Sequence, residues 1–133
     1  MQLKELLSGA VAALGGMAAW LLGPWDALIT ALLAVMVIDY ATGISAAALQ
    51  KQLSSTVGFR GLLKKMTIFL IVSLAAILDH LVLATNGALR AAVCLFYIMN
   101  EGLSILENAG SLGLPLPDAL KNALVQLNEK KIP

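Results

Sequence analysis

The fold is decided by one long apolar stretch, residues 25–49, which reads WDALITALLAVMVIDYATGISAAAL. A helix needs about 20 mostly apolar residues to cross the hydrocarbon core of a bilayer, so this stretch can span it with some tilt. It holds two acidic residues, Asp26 at its start and Asp39 in its interior. The stretch therefore predicts a transmembrane helix that carries a charged group within the membrane.

The composition of the whole chain indicates the same class of protein. Of its 133 residues, 59% are hydrophobic and 13% are charged, whereas a typical soluble domain has about 25% charged residues. A chain of this size cannot hide so much apolar surface in one core, so much of it must face lipid. The net charge is +1, and no basic stripe interleaved with aromatic residues indicates binding to nucleic acid. We expect an all-α integral membrane protein.

Three further apolar segments accompany the first. They are Leu6–Leu22, Met66–Ala84 and Leu89 to about Leu106. Gly23-Pro24 separates the first two segments, and Pro24 suits the first turn of the second helix, while Thr85-Asn86-Gly87 predicts a tight turn. Residues 1–110 are thus predicted to form a domain of four transmembrane helices. The first segment is short and rich in small residues, so three spans plus a mobile N-terminal segment is the alternative.

Residues 111–133 are predicted to form a cytoplasmic tail. Pro115 and Pro117 cannot continue the fourth helix, because proline lacks an amide donor and restricts the residue before it. Asp118 then begins a short amphipathic helix. Its apolar face consists of Leu120, Leu124 and Leu127.

The basic residues predict the orientation of the chain. The loop between the second and third segments has no acidic residue between positions 50 and 66, and its cations are Lys51, Arg60, Lys64 and Lys65. Cytoplasmic loops are enriched in lysine and arginine. We therefore expect this basic loop and both termini in the cytoplasm, with two short turns outside. Arg90, near the second outer turn, does not fit this rule.

Several polar residues fall inside the apolar runs. Asp39, Asp79 and Glu101 would each cost about 2.5–3.5 kcal/mol near the centre of a spanning helix. A mere anchor has no reason to carry them, so we expect them to face one another, basic partners or water. Arg90, Cys94, Tyr97, Glu101, Ser104 and Asn108 are spaced by threes and fours, which places them on one face of the fourth helix.

The candidate gating or oligomer-contact residues come from this stripe, its borders and the second and third segments. They are Asp39, Thr42, Gly43, Asp79, Arg90, Tyr97, Asn100, Glu101, Ser104, Glu107 and Asn108. Two interpretations stay open for them: static contacts that hold the helices together, or residues that line or gate a membrane lesion.

The sequence contains no recognisable catalytic pattern. No nucleophile has a matching base, no glycine-rich loop suits a phosphate, and the single histidine and single cysteine have no ligand set at metal-binding spacing. We expect no enzymatic activity, no cofactor and no metal.

Two blocks of residues carry a family resemblance. The first comprises Asp39-Tyr40-Ala41-Thr42-Gly43, Ala46–Ala48, Lys51, Ser54-Ser55, Gly58, Gly61 and Lys64-Lys65. The second comprises Arg90, Phe96–Glu101, Ser104–Asn108, Gly113, Pro115 and Pro117. In order and spacing they resemble a family of phage holins that includes the holins associated with toxin secretion in clostridia. The resemblance covers roughly residues 35–127 and leaves the first 30 residues outside.

The resemblance implies a small protein that homo-oligomerises in the bacterial cytoplasmic membrane and permeabilises it. Endolysin, or a toxin or enzyme without a signal peptide, would then cross; endolysin is a functional partner that needs no direct contact. A small ion channel or proton-coupled transporter is the alternative, and an accessory membrane subunit that binds a partner through the fourth helix and the tail is a third interpretation. The size of what leaks, and purification as a homo-oligomer, would separate the three.

Overall fold

A computed structural model describes residues 2–83 and 85–129. Ala84, where the third predicted segment ends, and the last four residues of the predicted tail lie outside this part of the chain. The regular elements of the described residues are all helical: α1 (Gln2–Leu22), α2 (Ala27–Leu49), α3 (Ser55–Leu78), a π-helical turn (Asp79–Leu83), α4 (Ala88–Ser111) and α5 (Asp118–Glu129). The prediction of an all-α chain is confirmed.

Four of these helices, α1 to α4, are long and apolar enough to cross a membrane. The third candidate span includes the π-helical turn and runs over Ser55–Val82. Many large apolar side chains on these helices are exposed, among them Leu7, Leu70 and Leu74. Surface of this kind is stable against lipid but not against water. The structure therefore has the form of a multi-pass membrane protein.

The ends of the helices follow from local capping. The Asp26 carboxylate accepts a hydrogen bond from the amide of Ile29 at 3.1 Å and caps α2, so this helix begins after Pro24 rather than with Pro24 in its first turn. Gly23, with φ +81°, supplies the left-handed conformation that lets the chain turn there. The predicted turn at residues 85–87 is confirmed, because the Ala88 amide bonds to the Thr85 carbonyl at 3.1 Å.

The basic loop is shorter than the sequence predicted. The Ser54 hydroxyl accepts a hydrogen bond from the Val57 amide at 3.2 Å, so α3 begins at Ser55 and not near Met66. Arg60, Lys64 and Lys65 consequently lie on α3, and Lys51 alone of the four predicted loop cations lies in the loop. The assignment of those three residues to a loop was wrong, because a serine cap starts the helix before the apolar run begins.

The core lies where α4 packs against α2 and α3. It consists of Ile29, Leu32, Met36, Val72 and Cys94. Helix α4 also contacts α5, whereas α1 lies against α3 and is exposed from Gln2 to Trp20. The predicted helix in the tail is confirmed as α5; Leu120 on it is exposed, and the side chains of Leu124 and Leu127 lie outside the described residues.

Candidate functional site: two polar clusters in the helical bundle

The polar stripe predicted on α4 exists and faces the other helices. Arg90, Cys94 and Glu101 are the buried residues of α4, and Tyr97 packs against the core. Ser104 and Asn108 contact Asp39 of α2. The spacing of threes and fours therefore identified one buried face correctly. The structure divides this face between two clusters, one near the middle of the bundle and one at the beginning of α4.

The first is the Lys65 cluster, defined by Lys65, Asp39, Glu101, Asn108 and Thr42. The Lys65 ammonium lies 2.7 Å from a carboxylate oxygen of Asp39 and 2.7 Å from one of Glu101. The three charged side chains come from α3, α2 and α4, and each is at most 15% exposed. One ammonium thus joins three helices inside their candidate spans.

An amide group extends the Lys65 cluster. Nδ2 of Asn108 donates to the Asp39 carbonyl at 3.1 Å, to Oδ1 of Asp39 at 3.0 Å and to the Thr42 hydroxyl at 3.0 Å. A Cβ at Gly43 would lie 3.5 Å from this same Nδ2 atom. A side chain at position 43 would therefore be in ordinary van der Waals contact with the Asn108 amide, which places Gly43 beside the Lys65 cluster.

The second is the Arg90 cluster, defined by Arg90, Asp26, Asp79 and the carbonyls of Leu22 and Pro24. Nη1 of Arg90 lies 2.9 Å from Oδ2 of Asp26, and Nη2 donates to the Pro24 carbonyl at 2.8 Å. Nε donates to the Leu22 carbonyl. The guanidinium thus binds both sides of the connection between α1 and α2, using the fork geometry that lysine lacks.

Asp79 anchors the beginning of α4 in the same cluster. Its carboxylate accepts hydrogen bonds from the backbone amides of Leu89 at 3.0 Å and Arg90 at 2.8 Å, and from the Thr85 hydroxyl. A carboxylate at a helix N-terminus satisfies free amides and interacts favourably with the helix dipole. The buried acid in the third span is therefore a capping group for the fourth helix.

Asp26 is the titratable group of the Arg90 cluster that lies outside the spans. The hydrogen bond from the Arg90 guanidinium holds the pKa of this carboxyl below its ordinary value of 3.8. Its bond from the Ile29 amide acts in the same direction. Asp26 is consequently charged at neutral pH and compensates the positive charge of Arg90.

A cleft of about 440 Å³ opens beside the Lys65 cluster. It lies between α2 and α3, and α4 forms its floor. Tyr40 projects from α2 over the α3 glycines, and its hydroxyl donates to the Gly58 carbonyl at 3.3 Å. Four predicted site residues that are not in the Lys65 cluster also line this cleft: Gly43, Tyr97, Asn100 and Ser104.

Apart from Tyr97 and Asn100, which line the cleft, the predicted site residues separate into three groups. Asp39, Thr42, Glu101 and Asn108 lie in the Lys65 cluster, with Gly43 and Ser104 in contact with it. Asp79 and Arg90 lie in the Arg90 cluster. Glu107 is exposed and lines a second cleft between α4 and α5, away from both clusters.

Two charged side chains of the clusters, Lys65 and Asp26, were not predicted as gating or contact residues. Lys65 was assigned to the loop because it adjoins Lys64 at the edge of an apolar run. Asp26 was noted only as an acidic residue at the start of the second segment, next to the first outer turn, while Arg90 was placed near the second outer turn. Their opposite charges on the same side of the membrane were the sequence signal that could have paired them.

The helices are long enough to span a membrane, bury charged clusters between them and expose apolar side chains outward. These features define a multi-pass membrane protein with an internal polar stripe. The profile of the bacteriophage holin family matches residues 16–129. The chain belongs to this family, which points to a non-enzymatic membrane protein.

Individual relatives agree with the family match. The chain is 42% identical over 121 residues to a 14.9 kDa protein in the nagH 3′ region of Clostridium perfringens, covering 91% of this chain and 92% of the relative. It is 38% identical over 100 residues to protein YqxH of Bacillus subtilis, covering 75% and 71%. It is 39% identical over 93 residues to a probable holin of Bacillus phage phi105, covering 70% and 68%. No solved structure gives a significant match.

Proposed function

We propose that this protein homo-oligomerises in the bacterial cytoplasmic membrane and opens a lesion large enough for a folded protein to cross. The observation that carries the proposal is membership in the bacteriophage holin family together with a polar face buried between the helices of one subunit. The cargo is endolysin, or a toxin or enzyme without a signal peptide. The candidate residues of the Lys65 cluster serve as the contacts that separate when the lesion opens.

The closed arrangement supports accumulation without leakage. In the described part of the chain, every buried polar side-chain atom has a hydrogen-bond partner. A subunit whose polar groups are satisfied internally can reside in lipid without drawing water into the bilayer. Opening then requires an event that replaces these contacts with contacts to water. Loss of the membrane potential is one such event, because the potential contributes about 2.3 kcal/mol for each charge moved across 100 mV. A threshold density of subunits is another.

The same arrangement supports cytoplasmic termini. Lys51 lies in the connection before α3, and Arg60 is exposed in the second turn of α3, at the end of the bundle where the C-terminus of α4 lies. Arg90, at the other end, is neutralised by Asp26. Arg90, the exception to the positive-inside rule, therefore adds little net charge at its end of the bundle.

The test is induced expression in a bacterium that also makes a cytoplasmic endolysin, with turbidity and release of a cytosolic reporter enzyme followed over time. We expect abrupt lysis that requires the endolysin, and escape of the reporter. Growth arrest with ion leakage but no reporter release would contradict the proposal and favour a small channel or transporter.

Charge-neutral variants test the role of the Lys65 cluster in the same assay. Asp39→Asn and Glu101→Gln keep the size of each side chain but remove one negative charge, so we expect a shifted lysis time at equal membrane levels. Glu107→Gln, on an exposed site of the same helix, is the matched control and should keep the parental timing. Unchanged lysis timing in both cluster variants would show that the carboxyl groups of Asp39 and Glu101 do not control opening.

A further inference from the structure

Helix α5 lies beside the last turns of α4 and does not extend away from the bundle. Lys121 and Val125 of α5 line one cleft together with Leu103 and Leu106 of α4. Both leucines belong to the candidate span Ala88–Ser111. Because α5 borders residues of a spanning helix, it lies at the level where that helix leaves the membrane.

Helix α5 leaves most of its own surface uncovered. Within residues 2–83 and 85–129, α4 is the one helix that α5 packs against. Every α5 side chain that the structure describes is exposed, including the apolar Leu120 at 47% and Val125 at 43%. Leu114, in the connection before α5, is 59% exposed. These apolar side chains are therefore not buried by the subunit, and an apolar environment outside it would stabilise them.

Polar and apolar side chains occupy opposite sides of α5. Successive residues of a helix are about 100° apart, so Asn122 and Gln126 lie roughly opposite Leu120, and all three are exposed. Leu120 belongs to the predicted apolar face, and Lys121 lies at the edge of that face. An amphipathic helix with lysine beside its apolar face is typical of helices that lie in the plane of the membrane interface.

The apolar surface near α5 continues a surface of α4 that faces outward. Leu95 and Leu106 are eleven residues apart, about three helical turns, and therefore lie on the same face of α4. Leu95 is 45% exposed within its span, whereas Leu106 borders α5. Lipid in contact with the α4 surface at Leu95 thus continues toward α5, which favours lipid as the partner of the apolar face.

We infer that α5 is an interfacial helix whose apolar face, carrying Leu120, lies against the lipid of the bilayer. Asn122 and Gln126 face water on the opposite side, and Lys121 reaches the headgroup region with its ammonium. The segment after α4 is then held at the membrane surface and is not a free cytoplasmic tail. The inference rests on insertion of the spanning helices and not on the proposed permeabilising function.

The test uses the full-length Cys94→Ala protein in phosphatidylcholine vesicles, with one nitroxide attached at Leu120→Cys or, as the matched control, at Gln126→Cys. Both positions are exposed in the subunit, so burial within it does not distinguish them. Collisions of the nitroxide with oxygen report contact with lipid, and collisions with a water-soluble nickel chelate report contact with water. We expect the ratio of oxygen to nickel collisions to be several-fold higher at position 120 than at position 126.

Two results would overturn the inference. Frequent nickel collisions at both positions would place α5 in water. A label at position 120 that neither oxygen nor nickel reaches would mean that a second copy of the chain covers the apolar face. The measurement requires no permeabilisation, so its outcome is independent of the lysis assay.

A charge placed on either side of α5 tests the same orientation, with the nitroxide now at Ala123→Cys. Leu120→Glu should shift the helix from lipid to water on the order of tenfold, because loss of a leucine from an apolar environment shifts an equilibrium by about this factor or more. Asn122→Glu adds the same charge on the polar side and should leave the collision ratio unchanged. An equal response in the two variants, whether large or absent, would overturn the inference.

Discussion

The two polar clusters are each organised around one cation, but they connect different parts of the molecule. Lys65 binds carboxylates from two other helices within their candidate spans. Arg90 binds the carbonyls of Leu22 and Pro24 and the Asp26 carboxylate at the ends of helices. The Lys65 cluster therefore holds helix faces together, and the Arg90 cluster holds the connections between helices.

The two clusters also differ in how their carboxylates are satisfied. The carboxylates of Asp39 and Glu101 share the ammonium of Lys65. In the Arg90 cluster the guanidinium binds Asp26, while backbone amides of α4 bind Asp79. The Lys65 cluster therefore depends on side chains from three packed helices, whereas Asp79 is held by the backbone of the helix that it caps.

Removal of Lys65 should have the largest effect on stability. Lys65→Met leaves two acidic groups without their common partner, and loss of one member of a buried ion pair typically costs about 3–5 kcal/mol. The measurement is the free energy of unfolding in detergent micelles. Lys64→Met removes an equal charge from the adjacent exposed position and should change this free energy by less than about 0.5 kcal/mol. Equal losses in the two variants would show that the ion pairs do not stabilise the bundle.

Removal of Arg90 should have the next largest effect. Arg90→Gln leaves the Leu22 and Pro24 carbonyls without their donor, and unsatisfied buried groups cost about 1–3 kcal/mol. We expect a loss of about 2–3 kcal/mol in the free energy of unfolding, less than for Lys65 because Asp26 is 39% exposed and water replaces part of its bond. Arg60→Gln is the control on an exposed helical site. A larger loss for Arg90→Gln than for Lys65→Met would reverse the comparison.

The two clusters were not equally predictable from the sequence. The spacing along α4 placed Glu101, Ser104 and Asn108 on one face, because helix geometry alone fixes which residues share a side. Hydropathy could not assign Lys65 to a helix. A lysine next to an apolar run is assigned to a loop whether or not residues of other helices neutralise its charge. Its assignment depends on Asp39 and Glu101, which are 26 and 36 residues away.

The Arg90 cluster could not be predicted from the sequence for a different reason. Arg90 and Asp26 are 64 residues apart, and the positive-inside rule counts basic residues without considering an acidic partner. The boundary of α3 was likewise determined by Ser54, a single capping residue within a polar stretch. The apolar runs thus predicted the helices, and the spacing of polar residues predicted the buried face of α4. The pairing of charges depends instead on how distant helices pack.

Asn108 should contribute less than either cation. Asn108→Ala removes one amide that bonds to Asp39 and Thr42, and hydrogen bonds between transmembrane helices contribute about 1 kcal/mol. We expect a loss of this size in the free energy of unfolding, and a double-mutant cycle with Thr42→Val should show coupling. Asn122→Ala on the exposed face of α5 should have no measurable effect. If the free-energy losses of the two single variants add strictly in the double variant, the contact between Asn108 and Thr42 does not contribute to stability.

The smallest expected effect is the response of the Arg90 cluster to acid. The pKa of Asp26 is lowered in the folded protein, mainly by its hydrogen bond from Arg90, so the stabilisation is fully present above the ordinary pKa of 3.8 and is lost as pH falls through the lower, folded-state value. Asp26→Asn keeps a side-chain oxygen to cap α2 but has no charge to titrate. Thermal unfolding of the two proteins should therefore differ most at neutral pH and converge below about pH 4. Equal thermal unfolding of the two proteins at neutral pH would show that Asp26 acts only as a helix cap, a role that the asparagine oxygen retains, and that its charge does not help Arg90 hold the connection between α1 and α2.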